Sequence, residues 1–465
     1  GAVLAATLRR RYAATLIDEF QDTDPVQYEI FRSIYARTGK PVFLVGDPKQ
    51  AIYSFRGADI FAYLNARRDT AHGYTLDGNW RSDPRLLTAL NVIFGTVKTQ
   101  PFLFDDIPFQ PAKPAEKKRH EHLWIHGRLE PPLQFWFMDF ADPKEPMSKG
   151  EANELAGRAT AAEIARLLHL GTRGQVRIGE KPAAEGSRPL AGGDMAVLVR
   201  SHRQCRMIRD HLLQLRVPSV QHADDSVFTT AEAQHLEWLL AAVAEPSHEG
   251  WVCTALASDL IGMSGEGLYQ LRNDEQAWAQ QLETLQDYRC LWRERGFMRF
   301  FRTLLMNEAV ASRLLAFRDG ERRMTNVLHL AELLHIASRT HPDVVGLLKW
   351  FGDCRRAPAK KDEEQQLRLE SDENLVRIIT VHKSKGLEYS VVFCPFVWDG
   401  KLHVGDNDEA LLYHDPANPS RTILAVGLDG DDPARQCTRR EEMAENLRLF
   451  YVALTRAKQR CYLVW

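Results

Sequence analysis

Two adjacent acidic residues follow an apolar segment near the start of the sequence. The run Ala-Thr-Leu-Ile at residues 14–17 leads directly into Asp18 and Glu19, and the run Pro-Val-Phe-Leu-Val at residues 41–45 stands two positions before Asp47. Both runs predict buried strands whose C-terminal ends carry carboxylates. In a nucleoside triphosphatase, the first acid of such a pair holds Mg²⁺, and the second orients and deprotonates the attacking water. For an Asp-Glu pair met alone, a solvated turn is the alternative.

The pair lies in the first of five segments that occur in order along the chain. They are residues 17–24 (IDEFQDTD), 46–59 (GDPKQAIYSFRGAD), 76–82 (LDGNWRS), 380–389 (TVHKSKGLEY) and 449–458 (LFYVALTRAK). Together they resemble conserved motifs of the superfamily 1 DNA helicases of the UvrD/RecB type. The resemblance spans nearly the whole chain, and the motif wording is most similar to the RecB branch, the beta subunits of exodeoxyribonuclease V.

The resemblance implies a site that hydrolyses ATP. It assigns Mg²⁺ to Asp18, with Glu19 nearby as the residue that activates water, and it implies that Gln50 senses the γ-phosphate and couples it to DNA. Arg81 and Arg456 resemble the two arginines that reach the γ-phosphate from the second RecA-like domain. A guanidinium fork suits the charge of a phosphoryl-transfer transition state. For each residue met alone, a surface position or a surface ion pair is the alternative.

Three further residues match nucleotide contacts of this family. Trp80 matches the position where an aromatic ring stacks on adenine, and Glu388 matches a residue near the ribose and triphosphate. Gly386 belongs to the same predicted nucleotide site. A core tryptophan and a helix-start carboxylate are the alternatives for the first two. ATP and Mg²⁺ are therefore the expected cofactors.

Five other residues match positions that contact single-stranded DNA, and aromatic rings among them could stack on bases without reading sequence. Arg56 could pair with a phosphate or with an acid inside the protein, and a lone histidine is more often structural. The partners that the resemblance implies are single-stranded and duplex-end DNA and RecC-like and RecD-like subunits. It implies no association with a membrane. The predicted DNA contacts are Tyr53, Phe55, Arg56, Thr380 and His382.

Apolar periodicity divides the chain into α/β and all-helical regions. Further strands are predicted at residues 133–140, 195–199, 376–381 and 391–393, helices at residues 26–35, 152–170 and 204–215, and a Gly/Pro-rich loop at residues 171–193. From about Ser226 to Phe351 the apolar spacing is helical, and Thr229 to Glu232 fits a capping box.

These patterns and the resemblance predict an α/β fold. We expect RecA-like parallel sheets of the P-loop NTPase type, one partial and one complete, with an inserted all-α domain. The expected domains are residues 1–75, the C-terminal part of the first RecA-like domain; residues 76–225 and 373–465, the discontinuous second RecA-like domain; and residues 226–372, the helical insertion.

Composition excludes several classes of protein. The 465 residues with 44% hydrophobic content exclude a collagen or a globally disordered chain. The net charge of −2 provides no global basic field, so nucleic acid must bind in a local groove. The 7 cysteines never form a C-x-x-C pair, which disfavours zinc ribbons and indicates the reducing cytoplasm. No apolar run approaches the roughly 18 residues of a membrane span.

The phosphate-binding string G-x-x-x-x-G-K-[ST] does not occur in this sequence, although the family resemblance implies one before the Asp-Glu strand. We therefore expect a fragment of an ATP-dependent 3′-to-5′ helicase of double-strand-break repair and recombination, without the P-loop segment and the nuclease domain. Alone it should hydrolyse little or no ATP. The alternatives are a fragment of a single-subunit UvrD-like repair helicase, and a module that binds DNA or partners without catalysis.

Overall fold

The chain forms two compact units, one from residues 1–222 with 374–465 and one from residues 223–373. The computed structural model describes residues 2–35, 38–70, 72–116, 120–138, 147–182, 186–221, 226–317, 319–356, 374–400, 404–405, 408–428 and 432–465.

The first unit mixes helices and strands. Its helices are α1 (Ala2–Arg11), α2 (Pro25–Tyr35), α3 (Ile60–Asp69), α4 (Pro84–Gly95), α5 (Lys149–Thr172), α6 (His202–Gln214) and, after the second unit, α15 (Pro433–Leu454). Its strands before the second unit are β1 (Thr15–Ile17), β2 (Val42–Leu44), β3 (Gly78–Asn79), β4 (Lys113–Pro114), β5 (His122–Ile125), β6 (Arg128–Leu129), β7 (Leu133–Trp136), β8 (Val176–Gly179), β9 (Arg188–Pro189), β10 (Met195–Val199) and β11 (Ser219–Gln221). The strands after it are β12 (Val376–Thr380), β13 (Tyr389–Cys394), β14 (Ala410–Asp415), β15 (Asn418–Val426) and β16 (Ala457–Val464).

A six-stranded parallel sheet forms the centre of this unit, in the order β11-β12-β10-β13-β16-β7. Every residue of β10 and of β13 is buried, as expected for parallel strands covered on both faces. One face packs with residues of α5 and α6, and the other with residues of α4 and α15. The predicted α/β fold with a large parallel sheet is thereby confirmed.

A second, two-stranded parallel sheet positions the acidic pair. Ile17 of β1 lies opposite Leu44 of β2, so both strands end at the same edge. Beyond the strands the chains stay paired, because Val45 N–H donates to the Ile17 carbonyl at 2.9 Å and Phe20 N–H to the Val45 carbonyl at 2.9 Å. The sheet is more exposed than predicted for buried strands, with Leu16 71% and Phe43 51% accessible.

The Gly/Pro-rich stretch 171–193 is not one loop. It contains β8 and β9, which join β5 and β6 in an antiparallel sheet of order β6-β5-β8-β9. Short strands were missed here because β8 carries only two apolar side chains, Val176 and Ile178, which become buried through pairing with β5. β7 covers the first part of the predicted strand 133–140, whose last two residues lie outside the described part of the chain.

The second unit is helical. It contains α7 (Ala231–Ala244), α8 (Glu249–Ala257), α9 (Gly265–Asn273), α10 (Glu275–Arg295), α11 (Phe297–Asn307), α12 (Val310–Leu315), α13 (Gly320–Ala337) and α14 (Val344–Arg356), and its described residues include no strand. The residue that caps α7 is Thr230 rather than Thr229, since its hydroxyl accepts from Ala233 N–H at 3.2 Å. Thr229 instead ends a short 3₁₀ turn.

The predicted domain limits stay predictions. The two compact units separate the helical region from the rest, but residues 1–75 and residues 76–222 of the predicted second domain fall within one unit. The predicted boundary at residue 372 lies outside the described residues. None of the described helices combines the length and apolar character needed to cross a bilayer.

Candidate nucleotide and nucleic-acid site

The acidic pair lies on the turn that leaves β1. Glu19 has a left-handed backbone with φ of 50°, an uncommon conformation for a residue other than glycine. Its N–H donates to Asp18 Oδ1 at 2.8 Å, and its Oε2 accepts from Gln21 Nε2 at 2.5 Å. The turn therefore holds both carboxylates at an exposed sheet edge, where substrates of parallel sheets bind.

The acidic pair suits Mg²⁺ that is shared with a nucleotide. Mg²⁺ is usually held by one or two carboxylates together with phosphate oxygens and water. Asp18 is exposed and offers such a carboxylate, and the described residues contain no group of three or more metal-ligating side chains. Asp18, with Glu19 nearby, would thus hold the ion only when phosphate completes the ligand set.

Gln50 ends a 3₁₀ turn that follows β2. Asp47 caps this turn by accepting from Lys49 N–H at 3.0 Å, and its other oxygen accepts from Gln50 Nε2 at 3.1 Å. Gln21 joins the two strand ends, because its Oε1 accepts from Asp47 N–H at 3.1 Å while its amide holds Glu19. Sequence reasoning missed Gln21, although its place two residues after Glu19 was a signal.

Arg81 is aimed by an Asn-centred turn. Asn79 Oδ1 accepts from the N–H groups of Arg81 and Ser82, each at 2.9 Å. The guanidinium then donates to the Thr455 carbonyl at 3.2 Å and to Glu388 Oε2 at 3.1 Å. Three segments that are distant in sequence therefore meet at one arginine.

Arg456 lies beside this group and is 1% exposed. Its Nε donates to the Val452 carbonyl at 3.0 Å, and Nη2 donates to Thr455 Oγ1 at 3.0 Å. Burial, together with the charge of Arg81, lowers the pKa of Arg456 to about 10, while the charges of Glu19 and Glu388 act in the opposite direction. The side chain therefore stays cationic at neutral pH within electrostatic reach of both acids.

Glu388 lies between two cations. Burial alone would raise its pKa, but hydrogen bonds from Arg81 and from Lys458, whose Nζ is 3.2 Å from Oε1, hold the pKa below its ordinary value. The preceding turn contains Gly386, whose φ of 83° explains why glycine is present there. Trp80, next to Arg81 in sequence, is 62% exposed.

A second group of residues is aromatic and lies on the neighbouring surface. We call Tyr53, Phe55 and His382 the aromatic group. The Phe55 ring is 64% exposed and meets the His382 ring edge-on, with 5.1 Å between the ring centroids. Tyr53 Oη donates to the His382 carbonyl at 2.9 Å, which ties the two segments together. The Arg56 guanidinium lies 5.1 Å from the Tyr53 ring centroid and 5.6 Å from that of Phe55.

The aromatic group lines a cavity of about 780 Å³. Burial lowers the pKa of His382, and Arg200 and Arg56 lower it further, against the opposing charge of Glu445. His382 is therefore neutral at pH 7. Arg200 also lines the cavity and was missed, although it directly follows the predicted strand 195–199. Thr380 ends β12 and is buried, at 8% exposure.

The structure thus brings most of the predicted residues into two neighbouring groups. Asp18, Glu19, Gln50, Arg81, Glu388 and Arg456 form the nucleotide group, and the aromatic group lies next to it. Lys385, which sequence reasoning passed over, contacts residues of both groups. The individual roles assigned to all these residues stay predictions.

Comparison with known families gives two matches. The model of the UvrD/REP helicase N-terminal domain matches residues 2–71, and that of the UvrD-like helicase C-terminal domain matches residues 323–465. The first match includes the acidic pair, Tyr53 and Phe55, and the second includes Glu388 and Arg456.

Curated relatives are described as RecBCD enzyme subunit RecB. The chain is 39% identical to that of Escherichia coli K12 over 465 residues, which is 100% of this chain and 38% of the relative. It is 33% identical to that of Haemophilus influenzae over 98% of this chain and 36% of the relative, and 31% identical to that of Mycobacterium tuberculosis H37Rv over 98% and 40%. The chain therefore spans about two fifths of the length of these relatives.

Proposed function

The chain belongs to the superfamily 1 DNA helicases of the UvrD/RecB type, and from that premise we propose that it is part of an ATP-dependent motor that moves 3′-to-5′ along single-stranded DNA. The observation that carries the proposal is the convergence of Glu19, Arg81, Glu388 and Arg456. These residues come from four separate segments of the sequence and lie within electrostatic reach of one another.

The nucleotide group supplies what phosphoryl transfer requires of the protein. Phosphoryl transfer is catalysed mainly by positioning and by stabilisation of charge on the transferred group. Glu19 would orient and deprotonate water, Gln50 would report the γ-phosphate to the adjacent aromatic segment, and Arg81 and Arg456 would balance the developing charge. Mg²⁺, held by Asp18 and the phosphates, would neutralise charge on the nucleotide.

The aromatic group suits single-stranded nucleic acid. Exposed rings stack on bases of any sequence, and a nearby cation pairs with phosphate. Phe55 offers the most exposed ring and Arg56 an exposed cation. A neutral His382 adds a flat surface without additional charge. Binding should therefore be independent of sequence and weakened by salt.

Partners of the whole protein are also part of the proposal. The relatives' description as a subunit of a RecBCD enzyme supports assembly with RecC-like and RecD-like subunits, at duplex ends during double-strand-break repair and recombination. This role requires that the protein be located in the cytoplasm. A single-subunit UvrD-like repair helicase is the runner-up, and independence from RecC-like partners would favour it.

A second candidate is a module that binds DNA without catalysis. It is favoured by one observation, the lack of a G-x-x-x-x-G-K-[ST] string in these residues. We propose that the 465 residues alone hydrolyse little ATP for this reason, and that catalysis requires a phosphate-binding loop supplied beside β1. Both candidate functions include DNA binding. They differ in whether supplying the phosphate-binding loop produces ATP hydrolysis.

Equilibrium binding to a fluorescent oligo-dT strand tests the part of the proposal that both candidates share. We expect saturable binding by the chain, similar affinity for mixed-sequence strands, and a logarithm of affinity that falls linearly with the logarithm of salt concentration. The matched blunt duplex should bind more weakly because its bases cannot stack on Phe55. Absence of binding at low salt would contradict the proposal.

A further inference from the structure

Lys385 is a buried lysine that contacts the nucleotide group. It follows the 3₁₀ turn His382–Ser384, and its side chain is 5% exposed. Its Nζ donates to Asp22 Oδ2 at 2.5 Å and to the Gln50 carbonyl at 2.9 Å, and it lies 3.5 Å from Glu19 Oε2. A buried ammonium requires such partners, because without them its charge would be strongly disfavoured.

The same ammonium contacts the aromatic group. It lies 5.1 Å from the Tyr53 ring centroid, within the range of a cation–π interaction. Tyr53 is itself fixed to the segment that carries Lys385, through the hydrogen bond from its hydroxyl to the His382 carbonyl. One side chain therefore contacts the predicted water-activating carboxylate and a ring predicted to contact DNA.

We propose that Lys385 is a positioning residue through which DNA bound at Tyr53 controls the carboxylate of Glu19. In the structure, Glu19 is held by Gln21 and faces the ammonium, so its negative charge is partly neutralised. A base stacked near Tyr53 changes the strength of the cation–π interaction between the ring and the Lys385 ammonium. The ammonium then interacts more or less strongly with the carboxylates of Glu19 and Asp22. This inference rests on the proposed function.

The coupling is reciprocal, so it can be read from DNA affinity without any hydrolysis. If Glu19 and the DNA-binding ring share one ammonium, then removing the charge of Glu19 leaves Lys385 freer to attract the ring and the DNA phosphates. Glu19→Gln should therefore tighten DNA binding, and the gain should require Lys385. Residues in contact show coupling energies that correspond to about a twofold change in affinity or more.

A double-mutant cycle tests the proposal with this chain and a fluorescent oligo-dT strand. We expect Glu19→Gln to tighten binding about threefold or more in the natural background and less than about twofold when Lys385 is replaced by Met. Lys385→Arg, which keeps the charge, should restore part of the difference. Glu29→Gln is the matched control, because Glu29 lies on the exposed surface of α2 and pairs with Arg32 instead; its effect should be the same in both backgrounds.

The outcomes separate this inference from the proposed function. If the unchanged chain binds oligo-dT but Glu19→Gln has the same effect with Lys and with Met at position 385, the positioning role is wrong and the proposed function stands. If the unchanged chain does not bind the strand, the proposed function fails and this inference fails with it. Thermal melts show whether the Lys385→Met variant is folded. If it is not, Lys385→Arg replaces it in the cycle, and the effect of Glu19→Gln on oligo-dT affinity must then differ between Lys and Arg at position 385.

Discussion

Truncation of Phe55 should weaken binding to single-stranded DNA without unfolding the protein. The ring is 64% exposed, so Phe55→Ala leaves no buried cavity and should change stability little. Stacking of one base on an aromatic ring contributes about 1–3 kcal/mol, and each 1.4 kcal/mol corresponds to a tenfold change in Kd. Because the ring edge also contacts His382, the loss should lie near the middle of that range, at about 2 kcal/mol, which raises Kd by roughly thirtyfold.

Fluorescence anisotropy with oligo-dT at several salt concentrations provides the assay. Phe55→Ala should raise Kd at every salt concentration and leave the salt slope unchanged, since stacking releases no ions. Arg56→Gln should lower the slope by about 0.7, the value for one phosphate contact on a single strand. The matched control is Phe137→Ala, because Phe137 is 74% exposed in the same unit and lies outside both groups of site residues. Equal effects of Phe55→Ala and Phe137→Ala would refute the assignment of the aromatic group.

Three predictions concern stability. Despite burial, hydrogen bonds with Asp59 and Glu441 raise the pKa of His414 to about 9, so its contribution is fully present below pH 6.5 and is lost as pH rises through 9. His414→Gln should thus lower the free energy of unfolding, measured with urea, by up to about 3 kcal/mol at pH 6 and by less at pH 10. A decrease that is the same at both pH values would contradict this. The pKa of Glu388 is lowered, so Glu388→Gln should destabilise at neutral pH but not at acid pH below the folded pKa, and by less than about 1 kcal/mol because its side chain is 45% exposed. Phe300→Ala removes a buried ring that stacks on Trp292 at 4.9 Å in the helical unit, and should cost about 3–5 kcal/mol by urea unfolding while oligo-dT affinity is retained.

Local pattern was sufficient for the strand ends but not for the contacts between distant segments. The positions of β1 and β2, and of the acids after β1, follow from short apolar runs and their polar ends, because strand periodicity is a local property. The hydrogen bond from Arg81 to Glu388 joins residues 307 positions apart, and that from Arg81 to Thr455 joins residues 374 apart. No local rule predicts such pairs, so only the family resemblance indicated that these residues meet.

Lys385 and Gln21 were missed for a related reason. In a polar segment a lysine is normally a solvated residue, and its burial depends on acids supplied by a remote turn. Gln21 is 1% exposed and joins two strand ends, which becomes visible only when β1 and β2 are paired. Conversely, the exposure of Leu16 and Phe43 could not be predicted from apolar composition, because exposure depends on what packs against the sheet.

ATP hydrolysis by a joined chain tests the central claim most directly. A segment that carries the string G-x-x-x-x-G-K-[ST] would be joined ahead of β1 of this chain, and ATP hydrolysis would be measured with and without oligo-dT, beside the chain alone. We predict little or no turnover by the chain alone, and DNA-stimulated turnover by the joined chain that either Glu19→Gln or Arg456→Ala abolishes. A joined chain that binds ATP and oligo-dT yet hydrolyses no faster than its Glu19→Gln variant would contradict the account.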